Sequence, residues 1–130
     1  MRRWLARSRK DLESARVLRP TDLERAMAIV YEAGLRACRG LVDLEGHRVL
    51  DRQGHHRTSI DVAALILGGD WATRLRRLDS ARRFRHETLY GDVPDASEAQ
   101  LDQVEHDVRS LLDELSRRLV RTGRARRSAR

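Results

Sequence analysis

Apolar residues recur along most of the chain at alternating steps of three and four, the spacing that places side chains on one face of an α-helix. The pattern is clearest in a helix that follows Pro20 and ends at Gly46, and in another from about Ser97 to Arg121. Thr21 and Glu24 have capping-box spacing, so we expect Thr21 to cap the first of these two helices. The stripe of the helix after Pro20 consists of Leu23, Met27, Val30, Gly34, Ala37, Leu41 and Leu44. The stripe of the helix from about Ser97 consists of Leu101, Val104, Val108, Leu111, Leu115 and Leu119.

Turn residues delimit three further helices, so we predict five helices and no strand. The first helix spans about Arg3 to Leu18 and stops before the first proline. The third spans about Thr58 to Leu67 and the fourth about Trp71 to Tyr90, with a Gly-Gly-Asp turn between them. The third is apolar nearly all round, which predicts burial on several sides. Short connections between long amphipathic helices predict an all-α protein, an antiparallel bundle of four to five helices.

The composition fits amphipathic helices packed around an aliphatic core. The 130 residues are enough for one domain, 36% of them are charged and only 4% are aromatic. Cys38 is the single cysteine, which excludes an intramolecular disulfide, and its place beside the apolar stripe predicts a buried thiol. We find neither a leader-like apolar run nor the roughly 18 apolar residues needed to cross a membrane, so we expect a soluble, cytoplasmic protein that does not bind membranes.

The net charge of +7 is concentrated at the C-terminus. Residues 121–130 contain five arginines and no acidic residue, so residues 1–120 carry only +2. We therefore predict a helical-bundle domain over residues 1–120 and a basic, disordered tail over residues 121–130. Because such a tail adds electrostatic affinity for phosphates, one hypothesis is a simple basic nucleic-acid binder.

Two arginines interrupt the apolar stripe of the fourth predicted helix. Its spacing runs through Trp71, Leu75 and Leu78 and then continues to Arg82 and Arg85. A guanidinium cannot lose its charge and is costly to bury unpaired. Arg85 therefore needs either an acidic partner on a neighbouring helix or an anion such as phosphate, which arginine can bind through two parallel hydrogen bonds. Both interpretations are open.

Residues next to Arg85 have side chains suited to chemistry at a phosphate. His86 is a histidine, a residue type whose ordinary pKa near neutrality suits acid–base work. Tyr90 can donate a hydrogen bond to a phosphate oxygen, but with a pKa of about 10 it is a poor general base. His55 and His56 have no Cys, Asp or Glu at a zinc-like spacing, so we predict neither a metal site nor a cofactor.

Taken together, these segments resemble the HEPN domains (higher eukaryotes and prokaryotes nucleotide-binding), small all-helical bundles that pair as homodimers. The resemblance covers roughly residues 3–115. "WLARSRKDLESARVL" is similar to the first helix of the family, "AMAIVYEAGLRACRGLVDLEGHRV" to the second, and "GHH" before "TSIDVAALIL" to the start of the third. The most specific part is "LRRLDSARRFRHETLYGD", which resembles the signature that ends the fourth helix.

The resemblance implies a set of site residues. In active members an arginine, a polar residue and a later histidine cut RNA across the dimer groove. Arg85 matches the arginine, His86 stands at the polar position, and Tyr90 stands where the histidine is expected; Arg82 and Arg83 would add to binding. Because tyrosine handles the 2′-hydroxyl proton badly, binding of RNA or a nucleotide is implied more strongly than metal-independent ribonuclease activity.

The resemblance also implies partners. Members of the family are often one half of a toxin–antitoxin pair, with a minimal nucleotidyltransferase as the other half. We therefore expect a homodimer from a toxin–antitoxin or defence-type system. The alternative is a non-catalytic helical interaction module that docks a nucleotidyltransferase or another protein, with Arg85 in a structural ion pair.

Overall fold

A computed structural model describes residues 2–46, 55–89 and 97–128, with side chains described over 2–46, 58–81 and 97–127. Five α-helices make up these ranges: α1 (Arg2–Leu18), α2 (Leu23–Leu44), α3 (His55–Leu67), α4 (Trp71–Leu89) and α5 (Glu98–Ser128). No strand occurs in the described ranges, which confirms the all-α class. None of the described helices is both long and apolar enough to cross a membrane.

The second helix is the centre of the bundle. α2 packs against all four other helices, which surround it in the order α1, α5, α4, α3. Gly34 makes this close packing possible, because a Cβ atom there would lie 2.7 Å from Leu78 Cδ1 and 2.9 Å from Val108 Cγ2. The absent side chain thus lets α4 and α5 approach α2 at the same level.

The predicted apolar stripes of α2 and α5 form the core of the bundle. The buried stripe residues are Met27, Val30, Gly34, Ala37 and Leu41 in α2 and Leu101, Val104, Val108, Leu111 and Leu115 in α5. The ends of the stripes, at Leu23, Leu44 and Leu119, are half-buried. Cys38 is fully buried as predicted, and burial raises the pKa of its thiol to about 12.

The cap of α2 differs from the prediction. The Asp22 carboxylate accepts the hydrogen bond of the Arg25 backbone N–H at 3.0 Å, which makes Asp22 the N-cap residue. The Thr21 hydroxyl instead donates to the Leu18 carbonyl at 3.0 Å. Thr21 is therefore part of the turn that follows α1, and the capping-box spacing placed the start of the helix one residue too early.

The third helix is buried on one side only, so the prediction of burial on several sides was wrong. Ser59, Ile60 and Ala63 are buried, whereas Leu65 is 83% exposed. In the part of the chain that the structure describes, α3 packs against α2 and α4 alone, and no helix covers its outer face. The helix also begins at His55 rather than near Thr58.

The fifth helix continues to Ser128, beyond the end predicted near Arg121. Four of the seven added residues are arginine or alanine, which have high helix propensity, and no proline follows Pro94 to stop the helix. The backbone of residues 121–128, which the sequence assigned to a disordered tail, is therefore helical in the structure. Its basic residues project from one continuous rod rather than from a random coil.

Ion pairs join α1 to α5 across the surface of the bundle. The Glu105 carboxylate, with 11% of its side chain exposed, lies 3.2 Å from Arg16, 3.6 Å from Arg19 and 2.9 Å from Arg109. Arg9 of α1 pairs with Asp113 of α5 at 3.0 Å. Much of the arginine excess in this part of the bundle is thus neutralised by acidic residues of the same chain.

Candidate anion-binding cleft

The residues that the sequence singles out lie at the C-terminal end of α4. The helical backbone runs through Arg82, Arg83, Arg85 and His86, hereafter the arginine segment (residues 82–86), and α4 ends at Leu89. The side chains of these residues, and all of Tyr90, lie outside the described residues. The described geometry nearest to them is that of the two preceding helical turns.

Directly before the arginine segment, α4 and α5 are joined by a two-bond ion pair. Arg77 Nε donates to Asp107 Oδ2 at 2.7 Å, and Arg77 Nη2 donates to Asp107 Oδ1 at 2.9 Å. The Asp107 side chain is only 3% exposed, while that of Arg77 is 38% exposed. The hydrogen bonds to Asp107 raise the pKa of Arg77 above its ordinary value. A buried carboxylate thus fixes the orientation of a guanidinium that reaches solvent.

The guanidinium of Arg77 keeps hydrogen-bonding capacity on its outer side. Of its five N–H groups, the pair with Asp107 uses the one on Nε and one of the two on Nη2. No described residue accepts a hydrogen bond from Nη1 of Arg77. The remaining N–H groups are therefore preoriented for a second acceptor, such as a phosphate oxygen.

A cleft of about 230 Å³ opens beside Arg77 between α4 and α5. Its described lining is Met27, Arg77, Ser80, Ala81, Gln100, Gln103 and Val104. The three apolar residues of this set are buried and form the floor, while the polar ones are exposed at the rim or half-exposed. The cleft therefore combines an apolar base with hydrogen-bonding groups around its mouth.

The polar residues that α5 contributes to the rim of the cleft are uncharged and can donate hydrogen bonds. Ser97 and Gln100 form a capping box: Ser97 Oγ accepts from the Gln100 N–H at 3.1 Å, and Gln100 Oε1 accepts from the Ser97 N–H at 3.0 Å. This bond occupies the amide oxygen of Gln100 and leaves its NH₂ group as a donor at the cleft. The first turn of α5 also carries the positive end of the helix dipole. Among the described residues that line the cleft, none is acidic and Arg77 is the one charged residue.

The sequence reasoning missed Arg77 and Asp107. Asp107 follows Val104 by three residues and precedes Leu111 by four, so it falls on the apolar face of α5. An acidic residue at such a position signals a buried carboxylate that needs a partner. The spacing does not identify the helix that supplies that partner. The Arg77 side chain is also partly exposed, as surface arginines are.

Comparison of the chain with protein-family models, curated proteins and solved structures finds no match. The described residues also contain no group of three or more His, Cys, Asp or Glu side chains arranged to hold a metal ion.

Proposed function

We propose that this protein is a HEPN-type homodimer that binds RNA or a nucleotide at the α4–α5 cleft and the adjoining arginine segment. The observation that carries the proposal is the guanidinium of Arg77, held by the buried Asp107 with its outer N–H groups directed away from the pair. A guanidinium fixed in this way loses little conformational entropy when it binds a phosphate.

The arginine segment extends this site along the same helix. Ala81 lines the cleft and is followed at once by Arg82. From Arg77 to Arg85 the helical rise amounts to about 12 Å, a length over which several phosphates of one strand can be contacted. In this proposal Arg82, Arg83 and Arg85 supply positive charge, and Arg77 supplies a fixed fork of donors at the cleft.

Within this proposal, binding dominates over cleavage. The described rim supplies hydrogen-bond donors, but no group that titrates near neutral pH. His86 would be the acid–base group, and Tyr90 stands where active relatives of the HEPN type have histidine. We therefore propose a homodimer that holds RNA or a nucleotide, in a toxin–antitoxin or defence-type system with a nucleotidyltransferase-type partner.

A second candidate function, a non-catalytic interaction module, is favoured by the outer face of α3. Leu65 is 83% exposed there, beside the half-buried Val62 and Ile66. An exposed apolar side chain beside partly exposed apolar neighbours offers a surface on which another protein can dock. On this alternative, substitution of Leu65 would abolish partner binding, while substitution of the arginines would leave it unchanged.

The proposal is tested by fluorescence anisotropy with a labelled four-nucleotide RNA in the presence of chelator. We expect Arg85→Ala to weaken binding at least tenfold. The matched control is Arg76→Ala, which removes the same charge from an exposed position of α4 that does not line the cleft. Circular dichroism verifies that both variants keep the helical content of the wild type. Equal affinity of wild type and Arg85→Ala would refute the proposal.

A further inference from the structure

The C-terminal part of α5 carries a second group of arginines whose charge the described chain does not neutralise. Arg124, Arg126 and Arg127 are exposed, and no acidic side chain among the described residues pairs with them. The preceding arginines differ, because Arg117, Arg118 and Arg121 all lie within 3.4 Å of the Glu114 carboxylate. Along one helix, arginines with acidic partners thus give way after Arg121 to arginines with no described acidic partner.

The start of α1 adds positive charge at the same end of the bundle. Arg16 pairs with Glu105 at 3.2 Å and Arg9 with Asp113 at 3.0 Å, so α1 and α5 run antiparallel. Continuing this pairing brings the N-terminus of α1 level with the residues that follow Arg117. Arg2 and Arg3 stand there, both exposed, and the positive end of the α1 dipole adds to their charge.

These five residues, Arg2, Arg3, Arg124, Arg126 and Arg127, form what we call the C-terminal basic pole. Leu115 is the last buried residue of α5, so the helix beyond it extends past the core. From Gln100 at the cleft to Arg124 the helical rise is about 36 Å. The pole and the cleft therefore lie toward opposite ends of one straight element, too far apart for one nucleotide to reach both.

We infer that the C-terminal basic pole is a second binding surface, which takes the phosphate backbone of single-stranded RNA. Arginine binds phosphate oxygens through charge-assisted hydrogen bonds, and several arginines along an exposed helix can follow a flexible strand without reading its sequence. This inference rests on the proposed function for the choice of RNA as the polyanion and for a single strand that occupies the cleft as well as the pole. A strand long enough to occupy the cleft and the pole together binds more tightly than either contact alone allows.

The chemistry of the pole favours a nucleic acid over a membrane surface. A helix that lies on a membrane needs a continuous apolar face. Beyond Arg118, α5 offers only Leu119 and Val120 as large apolar residues, and Leu119 is half-buried. The same stretch contains no aromatic residue to anchor it in lipid headgroups. An acidic protein is the remaining competitor, and the experiment distinguishes it from RNA.

The test compares two labelled RNAs on the full chain over a range of salt concentrations. A 20-nucleotide strand spans the distance between cleft and pole even at a stacked rise of about 3.4 Å per nucleotide, whereas a four-nucleotide strand does not. The variant replaces Arg124, Arg126 and Arg127 with Gln, which keeps the helix propensity. The control replaces Lys10, Arg25 and Arg39 with Gln, all exposed and all outside the pole and the cleft.

We expect the pole variant to bind the 20-nucleotide strand at least tenfold more weakly, with the four-nucleotide strand unaffected. The slope of log affinity against log salt should fall by up to about 2, because each lost phosphate contact contributes about 0.7 for single strands. The control should stay within twofold of wild type. An unchanged 20-nucleotide affinity and salt slope in the pole variant would overturn the inference, as would competition by polyglutamate as strong as that by unlabelled RNA.

These outcomes separate the two proposals. If Arg85→Ala loses the four-nucleotide strand while the pole variant retains the 20-nucleotide one, the proposed function holds and the inference fails. If the wild type does not bind the four-nucleotide strand but the pole variant loses the 20-nucleotide one, the inference holds and the proposed function fails.

Discussion

Asp107 holds Arg77 through two hydrogen bonds of 2.7 and 2.9 Å, with the carboxylate buried and the guanidinium at the mouth of a cleft. The acidic partners of the other inter-helix ion pairs in the described chain are more exposed: the side chain of Asp113, which pairs with Arg9, is 55% exposed, and that of Glu105 is 11% exposed. Surface pairs contribute little to stability. Because the Asp107 side chain is only 3% exposed, water has little access to replace Arg77 as its partner, so the pair orients Arg77 strongly.

Replacing Asp107 with Asn tests whether this orientation matters for binding. The substitution keeps the size of the side chain and the positive charge of Arg77 but weakens the two-bond pair. We expect a loss of about 1–2 kcal/mol in the free energy of unfolding, measured by urea denaturation. RNA affinity should fall although the net charge becomes more positive. The control is Asp113→Asn, which causes the same charge change at an exposed site and should leave RNA affinity equal or slightly increased. An equal or increased RNA affinity of Asp107→Asn would contradict the role of Asp107 in orienting Arg77.

Gly34 and Gly123 provide opposite tests of helix packing. A methyl group at Gly34 would lie 2.7 Å from Leu78 Cδ1, so we expect Gly34→Ala to reduce the free energy of unfolding by about 1–3 kcal/mol. At Gly123 the nearest atom to a new methyl group is Arg127 Nη1 at 3.9 Å, so Gly123→Ala should stabilise the helix by up to about 1 kcal/mol. Urea denaturation measures both changes. Stabilisation in both variants would show that α2 does not approach α4 as closely as described.

The acid dependence of stability should depend on Glu114. Its hydrogen bond with Arg117, followed by the one with Arg118, lowers the pKa of Glu114 in the folded chain. A carboxyl whose pKa is lower in the folded than in the unfolded state stabilises the fold at neutral pH, and this contribution is lost as the pH falls below the unfolded value of about 4.3 and through the folded pKa. The difference in unfolding free energy between wild type and Glu114→Gln should therefore be largest at pH 7 and shrink below pH 4. A difference independent of pH would contradict this role.

Burial protects the thiol of Cys38. Because its side chain is fully buried and its pKa is raised to about 12, the reactive thiolate is scarce in the folded protein at pH 8. We expect no reaction of the native protein with a thiol-specific chromogenic reagent over minutes, and complete reaction in denaturant. Rapid labelling without denaturant would mean that α2 is not the buried centre of the bundle.

The sequence predicts α2 and α5 well because regular apolar spacing reports directly which face of a helix is buried. Prediction from the sequence fails where the burial of a side chain depends on which helix lies next to it rather than on the residue itself. Leu65 is as apolar as Leu115, yet it is exposed because no described helix covers that side of α3. The cap of α2 was misplaced for a local reason, since Thr21 and Asp22 are both good caps and only the backbone geometry decides between them.

The residues of the described cleft could not be predicted from the sequence. The arginines that interrupt the stripe of α4 direct attention to its C-terminal half, and the cleft lies immediately before them. Arg77 and Asp107 are 30 residues apart, and helical periodicity gives the face on which a residue lies but not the residue that it meets across a helix interface. Arg82, Arg85 and Tyr90 stay predictions from the sequence pattern and the family resemblance.

A substitution of Arg77 that keeps its positive charge tests whether Arg77 binds a phosphate with the donors that Asp107 leaves unoccupied. Arg77→Lys retains the ion pair with Asp107 but loses the planar fork of donors. Arg76→Lys makes the same exchange at an exposed position outside the cleft. We expect at least fivefold weaker binding of the four-nucleotide RNA by Arg77→Lys and unchanged binding by Arg76→Lys. Equal affinities of the two variants for this RNA would show that the planar fork of Arg77 does not bind a phosphate.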